Sequence, residues 1–191
     1  MKNIVFFGDS LTAGHMLPAA DSFPSRIQEK ITEAGLPYKV HNYGVSGETS
    51  AAGRQRLPGV LSRVAPDVFV LALGANDGLR GIAARETTAN LRAILHEVRR
   101  QFPAATLVLA GLSVTMDLSR FGVPALTRYA QEFNALFGEL AASEGVALVP
   151  HLLAGVLGRP DLNLADRVHP NAAGQRVLAT NVWAVLEPLL Q

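Results

Sequence analysis

Apolar residues in this chain follow two rhythms. Ile4-Val5-Phe6-Phe7, the run from Val68 to Leu73, residues 106–110 and residues 146–149 are apolar stretches of strand length without alternation. That pattern suits parallel strands covered on both faces. A further short strand is predicted over residues 38–43, where Val40 is the apolar anchor. Between these runs the spacing turns helical: Phe23, Ile27, Ile31 and Ala34 recur until Gly35, and Leu91, Ile94, Leu95 and Val98 form one face of residues 85–101. Tyr129, Phe133, Leu136, Phe137 and Leu140 do the same within 125–143, and Val177, Leu178, Val182 and Leu186 within 172–190. Residues 49–61 can carry a helix with Leu57 and Leu61 on one face, interrupted by Gly53 and Pro58. Five strands separated by helices predict an α/β protein of βαβ units with right-handed crossovers.

The connections are where polar and small residues collect. Gly8-Asp9-Ser10 follows the first strand, Asn42-Tyr43-Gly44-Val45-Ser46-Gly47 the second, and Gly74-Ala75-Asn76-Asp77-Gly78 the third. In an open parallel sheet these turns converge on the edge that binds ligands. Residues 111–124 form a loop containing Met116, Leu118, Phe121 and Val123, and the irregular stretch 151–164 leads into Asp166-Arg167-Val168-His169-Pro170. No repeat, low-complexity tract or interdomain linker is visible, so residues 1–191 are expected to form one domain with an adequate core, 49% of them being hydrophobic.

Composition narrows the function. Seventeen basic residues against sixteen acidic ones give a net charge of +1 without a dense Lys/Arg stripe, which argues against a nucleic-acid partner. The chain has no Cys, so disulfides, thiolate metal sites and a Cys nucleophile are excluded and a nucleophilic hydroxyl must be Ser or Thr. No apolar stretch reaches the roughly 18 residues of a membrane span. The first apolar run leads into Ser10 without a signal-peptide pattern. The chain as it stands therefore reads as cytoplasmic, or as periplasmic or secreted if a leader has been removed. No feature specifies an oligomeric state.

The candidate chemistry is acyl transfer, which needs a hydroxyl nucleophile, a base within about 3 Å, an acid that fixes the base's tautomer, and donors aimed at an oxyanion. Ser10 can be the nucleophile or a capping serine in a strand-to-helix turn. His169 stands out among five histidines because Asp166 precedes it by three residues, a spacing that lets a carboxylate reach Nδ1 and leaves Nε2 for the serine. An Asp cap before the last helix is the other reading of that pair. Gly44 lets backbone N–H approach a ligand closely, or is a plain turn glycine. Asn76 can donate its amide without carrying charge, or form an Asx turn. Asp9 and Asp77 read as turn-shaping caps, and His15, His41, His96 and His151 as structural or surface residues.

Taken in order, Gly8-Asp9-Ser10, Gly44 in its two-glycine turn, Gly74-Ala75-Asn76-Asp77 and Asp166-Arg167-Val168-His169-Pro170 resemble the four blocks of the GDSL or SGNH hydrolase superfamily. Gly78-Leu79-Arg80-Gly81, Ser46-Gly47-Glu48-Thr49-Ser50 and Arg56-Leu57-Pro58 are similar to its bacterial branch of acyl-CoA thioesterase I, lysophospholipase and arylesterase. The resemblance implies a three-layer, flavodoxin-like α/β/α sandwich around a five-stranded parallel sheet. It implies Ser10 as nucleophile, His169 as base, Asp166 as its orienter, and an oxyanion hole of Ser10 N–H, Gly44 N–H and the Asn76 side chain. No Gly-x-Ser-x-Gly elbow is present, which speaks against the α/β-hydrolases. Ala75 stands where a second glycine is frequent, and residues 111–124 lack the Pro-Asn-Tyr-Gly-like sequence of thioesterase-type members.

The expected reaction is two-step hydrolysis of a small-molecule ester, thioester or lysolipid, with no metal or organic cofactor. Met116, Leu118, Phe121 and Val123, with Leu126, offer a wall for the acyl tail. With no segment of lid size, soluble or monomeric lipids are favoured over bulk triglyceride. Two other readings stay open: a carbohydrate acetyl esterase with the same apparatus, and a non-catalytic binding domain.

Overall fold

The computed structural model describes residues 1–113 and 124–191. Five strands, β1 (Lys2–Gly8), β2 (Tyr38–Gly44), β3 (Val68–Ala72), β4 (Thr106–Ala110) and β5 (Ala147–Val149), form one sheet in the order β2-β1-β3-β4-β5. Every pairing is parallel, with Gly8 opposite both Gly44 and Ala72. The unbroken apolar runs are explained by this position: Ile4 to Phe7 on β1 and Phe69 to Leu71 on β3 have no exposed surface because helices cover both sides. β2 is an edge strand and half-buried over most of its length, which is why its sequence shows one apolar anchor rather than a run.

The main helices are α1 (Ser10–Ala13), α2 (Phe23–Glu33), α3 (Ser50–Leu61), α4 (Ala75–Leu79), α5 (Ala84–Gln101), α6 (Pro124–Glu144) and α7 (Ala172–Leu186). α2 packs on α7, while α3, α5 and α6 pack in series, giving the two helical layers that sandwich the sheet. The short α1 and α4, each directly after a strand, lie below the length at which apolar periodicity becomes readable.

α3 departs from expectation, running unbroken through both Gly53 and Pro58. Thr49 caps its start by accepting the Ala52 N–H, and packing against the sheet outweighs the backbone bond that Pro58 cannot make. The last helix stops at Leu186 instead of Leu190, giving way to a 3-10 turn at Glu187–Leu189, because Pro188 has no N–H with which to continue the helical ladder. Among the described residues no helix is long and apolar enough to cross a membrane.

The strand order places the reversal of connectivity between β1 and β3. From β1 the chain moves outward to β2, then returns past β1 to β3. Ligands in open α/β sheets bind at that crevice, beyond the carboxyl ends of the strands. Ser10, Gly44 and Asn76 all lie there.

Candidate active site

β1 ends at Gly8, and the N-cap of α1 is Asp9, whose Oδ1 accepts the Leu11 N–H at 3.0 Å. Ser10 is therefore not the cap but the first helical residue, so its own N–H has no partner within the helix and its hydroxyl is free to face outward. That hydroxyl lies 3.1 Å from His169 Nε2. On the other side of the imidazole, Nδ1 is 2.6 Å from Asp166 Oδ2.

The loop holding this pair is built from its own polar residues. Asp166 Oδ1 accepts the Val168 and His169 N–H groups at 2.9 and 3.0 Å, and Arg167 between them takes a left-handed conformation, φ 59°. The turn is closed by Leu164 N–H to His169 O and by a bridge between Asn163 and Pro170. Asn171 then caps α7 through the Ala173 and Gly174 N–H groups. The His169 backbone N–H, its ring and the Val168 N–H together hold the Asp166 carboxyl well below the usual carboxylate range. An ionised carboxylate is acceptor-only, so Nδ1 carries the imidazole proton and Nε2 is left to accept from Ser10.

Two further donors border the same crevice. Asn76, in the first turn of α4, gives one amide N–H to Glu48 O at 3.1 Å, which leaves the second. The Gly44 N–H points at Asn42 Oδ1, 2.9 Å away, while Asn42 Nδ2 reaches Thr12 O. The absence of a side chain at Gly44 has a structural reason as well as the expected one. A Cβ there would sit 2.2 Å from Ala13 N, so only glycine lets the end of β2 pack against α1.

The loop after Gly44 is braced from below. Glu48 is buried and bidentate to Arg56, which also donates to Tyr43 O and lies over the Phe7 ring. Asp77, fully buried, accepts from the Ser50 N–H and hydroxyl and from Thr87 Oγ1. It is not the local cap that the sequence suggested, since α4 has no side-chain cap and the Asp77 carboxylate instead reaches across to α3 and α5.

Of the four histidines set aside as structural or surface residues, three fit. His41 bonds Asn3, His96 pairs with Glu144, and His151 is half-buried with its pKa lowered by burial. His15 does not fit. Its ring lies 4.3 Å from that of His169, and its Nδ1 is 3.3 Å from Ser46 Oγ. Gly14, which ends the one-turn α1 in a left-handed conformation, was the available signal that the chain turns here. Gln175, buried on α7, was missed as well, since a polar residue on a helix face carries no signal of what it meets. Met116, Leu118, Phe121 and Val123 lie outside the described residues, and Leu126 is exposed. Among the described residues no group of three or more His, Asp or Glu side chains is arranged to hold a metal ion.

Residues 6–177 match the GDSL-like Lipase/Acylhydrolase family. The chain belongs to that family. It is 35% identical to Esterase TesA of Pseudomonas aeruginosa over 99% of this chain and 90% of that protein. It is 31% identical to Thioesterase 1/protease 1/lysophospholipase L1 of Escherichia coli K12 over 98% of this chain and 84% of that one. The crystal structure of TesA superposes with a TM-score of 0.89 at 35% identity, covering 99% of this chain and 100% of that chain. The parallel five-stranded sheet flanked by helices is the SGNH hydrolase fold.

Proposed function

We propose that the protein is a serine esterase that hydrolyses short to medium acyl or aryl esters, and thioesters or lysophospholipids, through an acyl-enzyme. The observation that carries this reading is the hydrogen-bonded row Ser10 Oγ, His169 Nε2, His169 Nδ1, Asp166 Oδ2, with separations of 3.1 and 2.6 Å. His169 takes the Ser10 proton as Oγ attacks the carbonyl carbon, and Asp166 steadies the imidazolium that forms. The oxyanion is met by the Ser10 N–H, the second amide N–H of Asn76 and the Gly44 N–H, the last shared with Asn42. His169 then protonates the leaving alcohol or thiol, and water repeats the sequence on the acyl-enzyme.

The names of the relatives, an esterase and a thioesterase/lysophospholipase, support the substrate class. Residues 1–191 act as a single catalytic domain in this reading. The preference among acyl lengths is assigned to Met116, Leu118, Phe121 and Val123, in the stretch whose sequence departs most from thioesterase-type members.

The test is a panel of aryl esters of graded acyl length, acyl-CoA thioesters, a lysophospholipid and acetylated sugars, run with wild type and Ser10→Ala. Hydrolysis of aryl acetate that disappears in Ser10→Ala is expected. Unchanged hydrolysis in Ser10→Ala would remove the reading, and activity confined to the sugars would replace it with a carbohydrate acetyl esterase.

A further inference from the structure

His15 meets three segments at the crevice: the turn that carries Ser10, the loop after Gly44 and the His169 loop. Its backbone N–H donates to Ser10 O at 3.1 Å, alongside the N–H of Gly14. Its Nδ1 is 3.3 Å from the hydroxyl of Ser46, two residues beyond Gly44. Its ring lies against the His169 imidazole, with centroids 4.3 Å apart and planes inclined by 39°.

The backbone is arranged to put it there. Gly14 and Met16, on either side, are both left-handed, with φ values of 72° and 59°, and Leu17 N–H closes the turn onto Gly14 O. A side-chain-bearing residue such as Met16 is uncommon in that region, and such conformations gather at functional sites. Met16 itself gains nothing from its position, being 81% exposed. The residue that the turn delivers to a partner is His15.

An imidazole that must pass a proton between Ser10 and a leaving group has to stay in one plane while both neighbours change charge. Asp166 fixes one edge of His169 at Nδ1. A hydrogen bond at an edge leaves rotation about that bond unopposed, and a second ring against the face opposes it. We infer that His15 is a positioning residue for His169, holding the imidazole plane on line with Ser10 by ring packing and tethered in turn by Ser46. This rests on the esterase reading above but assigns a role that the reading does not need.

The test uses His15→Ala, His15→Phe and Ser46→Ala beside wild type and Ser10→Ala. Turnover of an aryl acetate is measured with the low-field proton NMR signal of the Nδ1–H shared by His169 and Asp166. Misplacement of a reacting group by about 1 Å can cost on the order of 100-fold, so His15→Ala is expected to lower kcat by about tenfold with KM changed less than about twofold. Its low-field signal broadens. His15→Phe, which keeps the ring, restores most of the turnover and the sharp signal. Ser46→Ala keeps both rings and removes only the tether, so it carries the test if His15→Ala folds poorly, with a loss of about threefold expected.

The inference is overturned if His15→Ala keeps wild-type kcat and signal, if its loss lies in KM alone, if His15→Phe is as impaired as His15→Ala, or if Ser46→Ala is unaffected. An active Ser10→Ala would instead remove the esterase reading, and the NMR signal reports on His169 in either event.

Discussion

Gln175 Nε2 donates to the carbonyl of Leu11 at 3.2 Å, the residue next to Ser10, while its Oε1 accepts the Phe23 N–H at 2.8 Å. One buried amide thus ties α7, whose cap follows the His169 loop, to the turn that carries Ser10 and to the start of α2. Gln175→Leu keeps the volume and strands a buried N–H and a buried carbonyl, at about 1 to 3 kcal/mol each. For a chain of this size that lowers Tm by about 5 to 15 °C. If Ser10 and His169 react as proposed, the strut joins the two halves of that pair, and kcat at 25 °C should also fall while KM holds. A variant with wild-type Tm would show that the strut contributes nothing.

Asn76 faces the crevice from α4 with one amide hydrogen committed to Glu48 O. Donors to a developing oxyanion act chiefly in the transition state, and losing one typically costs about 3 to 4 kcal/mol of barrier. Asn76→Ala is expected to lower kcat on a short aryl ester by about 100- to 1000-fold with little change in KM. A loss seen only in KM would place Asn76 in binding instead.

The strands and long helices were legible because burial on two faces and on one face leaves different periodicities, and β1 and β3 show the first at full strength. Ser10, Gly44 and Asn76 were legible as neighbours because parallel strands bring successive turns to one edge, and the three-residue spacing pointed Asp166 at His169. α3 was misread because local rules about Gly53 and Pro58 were overridden by packing on the sheet. His15 escaped notice because its position depends on left-handed Gly14 and Met16, the second of which has no sequence signature. Gln175 and the link from Asp77 to Ser50 and Thr87 escaped because long-range polar contacts leave no periodic trace.

Two glycines of α3 should respond oppositely to the same substitution. Gly59 has open space where a Cβ would go, so Gly59→Ala gains helix propensity alone, about 0.5 to 1 kcal/mol of stability. At Gly53 a Cβ would lie 2.4 Å from Leu73 Cδ1 and 3.2 Å from Phe7 Cε1, both on fully buried side chains. Overpacking there costs about 1 to 3 kcal/mol, more than the propensity gained. Urea denaturation of both variants checks the sign, and a stabilised Gly53→Ala would mean that the helix can shift off the sheet.

Asp9 gives stability an unusual pH dependence. It is 1% exposed, and its Oδ2 finds no hydrogen-bond partner among the described residues. Burial, opposed by the Leu11 N–H and reinforced by the carboxylates of Glu48 and Asp77, pushes its pKa up to about 7 from 3.8. Between those two values the folded protein holds a proton that the unfolded chain has released. Stability from this group is therefore complete below the unfolded value, declines as pH rises through the interval, and is lost above about 7. The decline amounts to a few kcal/mol, on the order of 4. Asp9→Asn can still accept the Leu11 N–H and does not titrate, so it should be the more stable protein at pH 8 and differ least from wild type at pH 4. Denaturant midpoints at pH 4, 6 and 8 measure this directly. Parallel pH profiles for the two proteins would show that Asp9 does not titrate in the interval and that its charge is accommodated by the turn it caps.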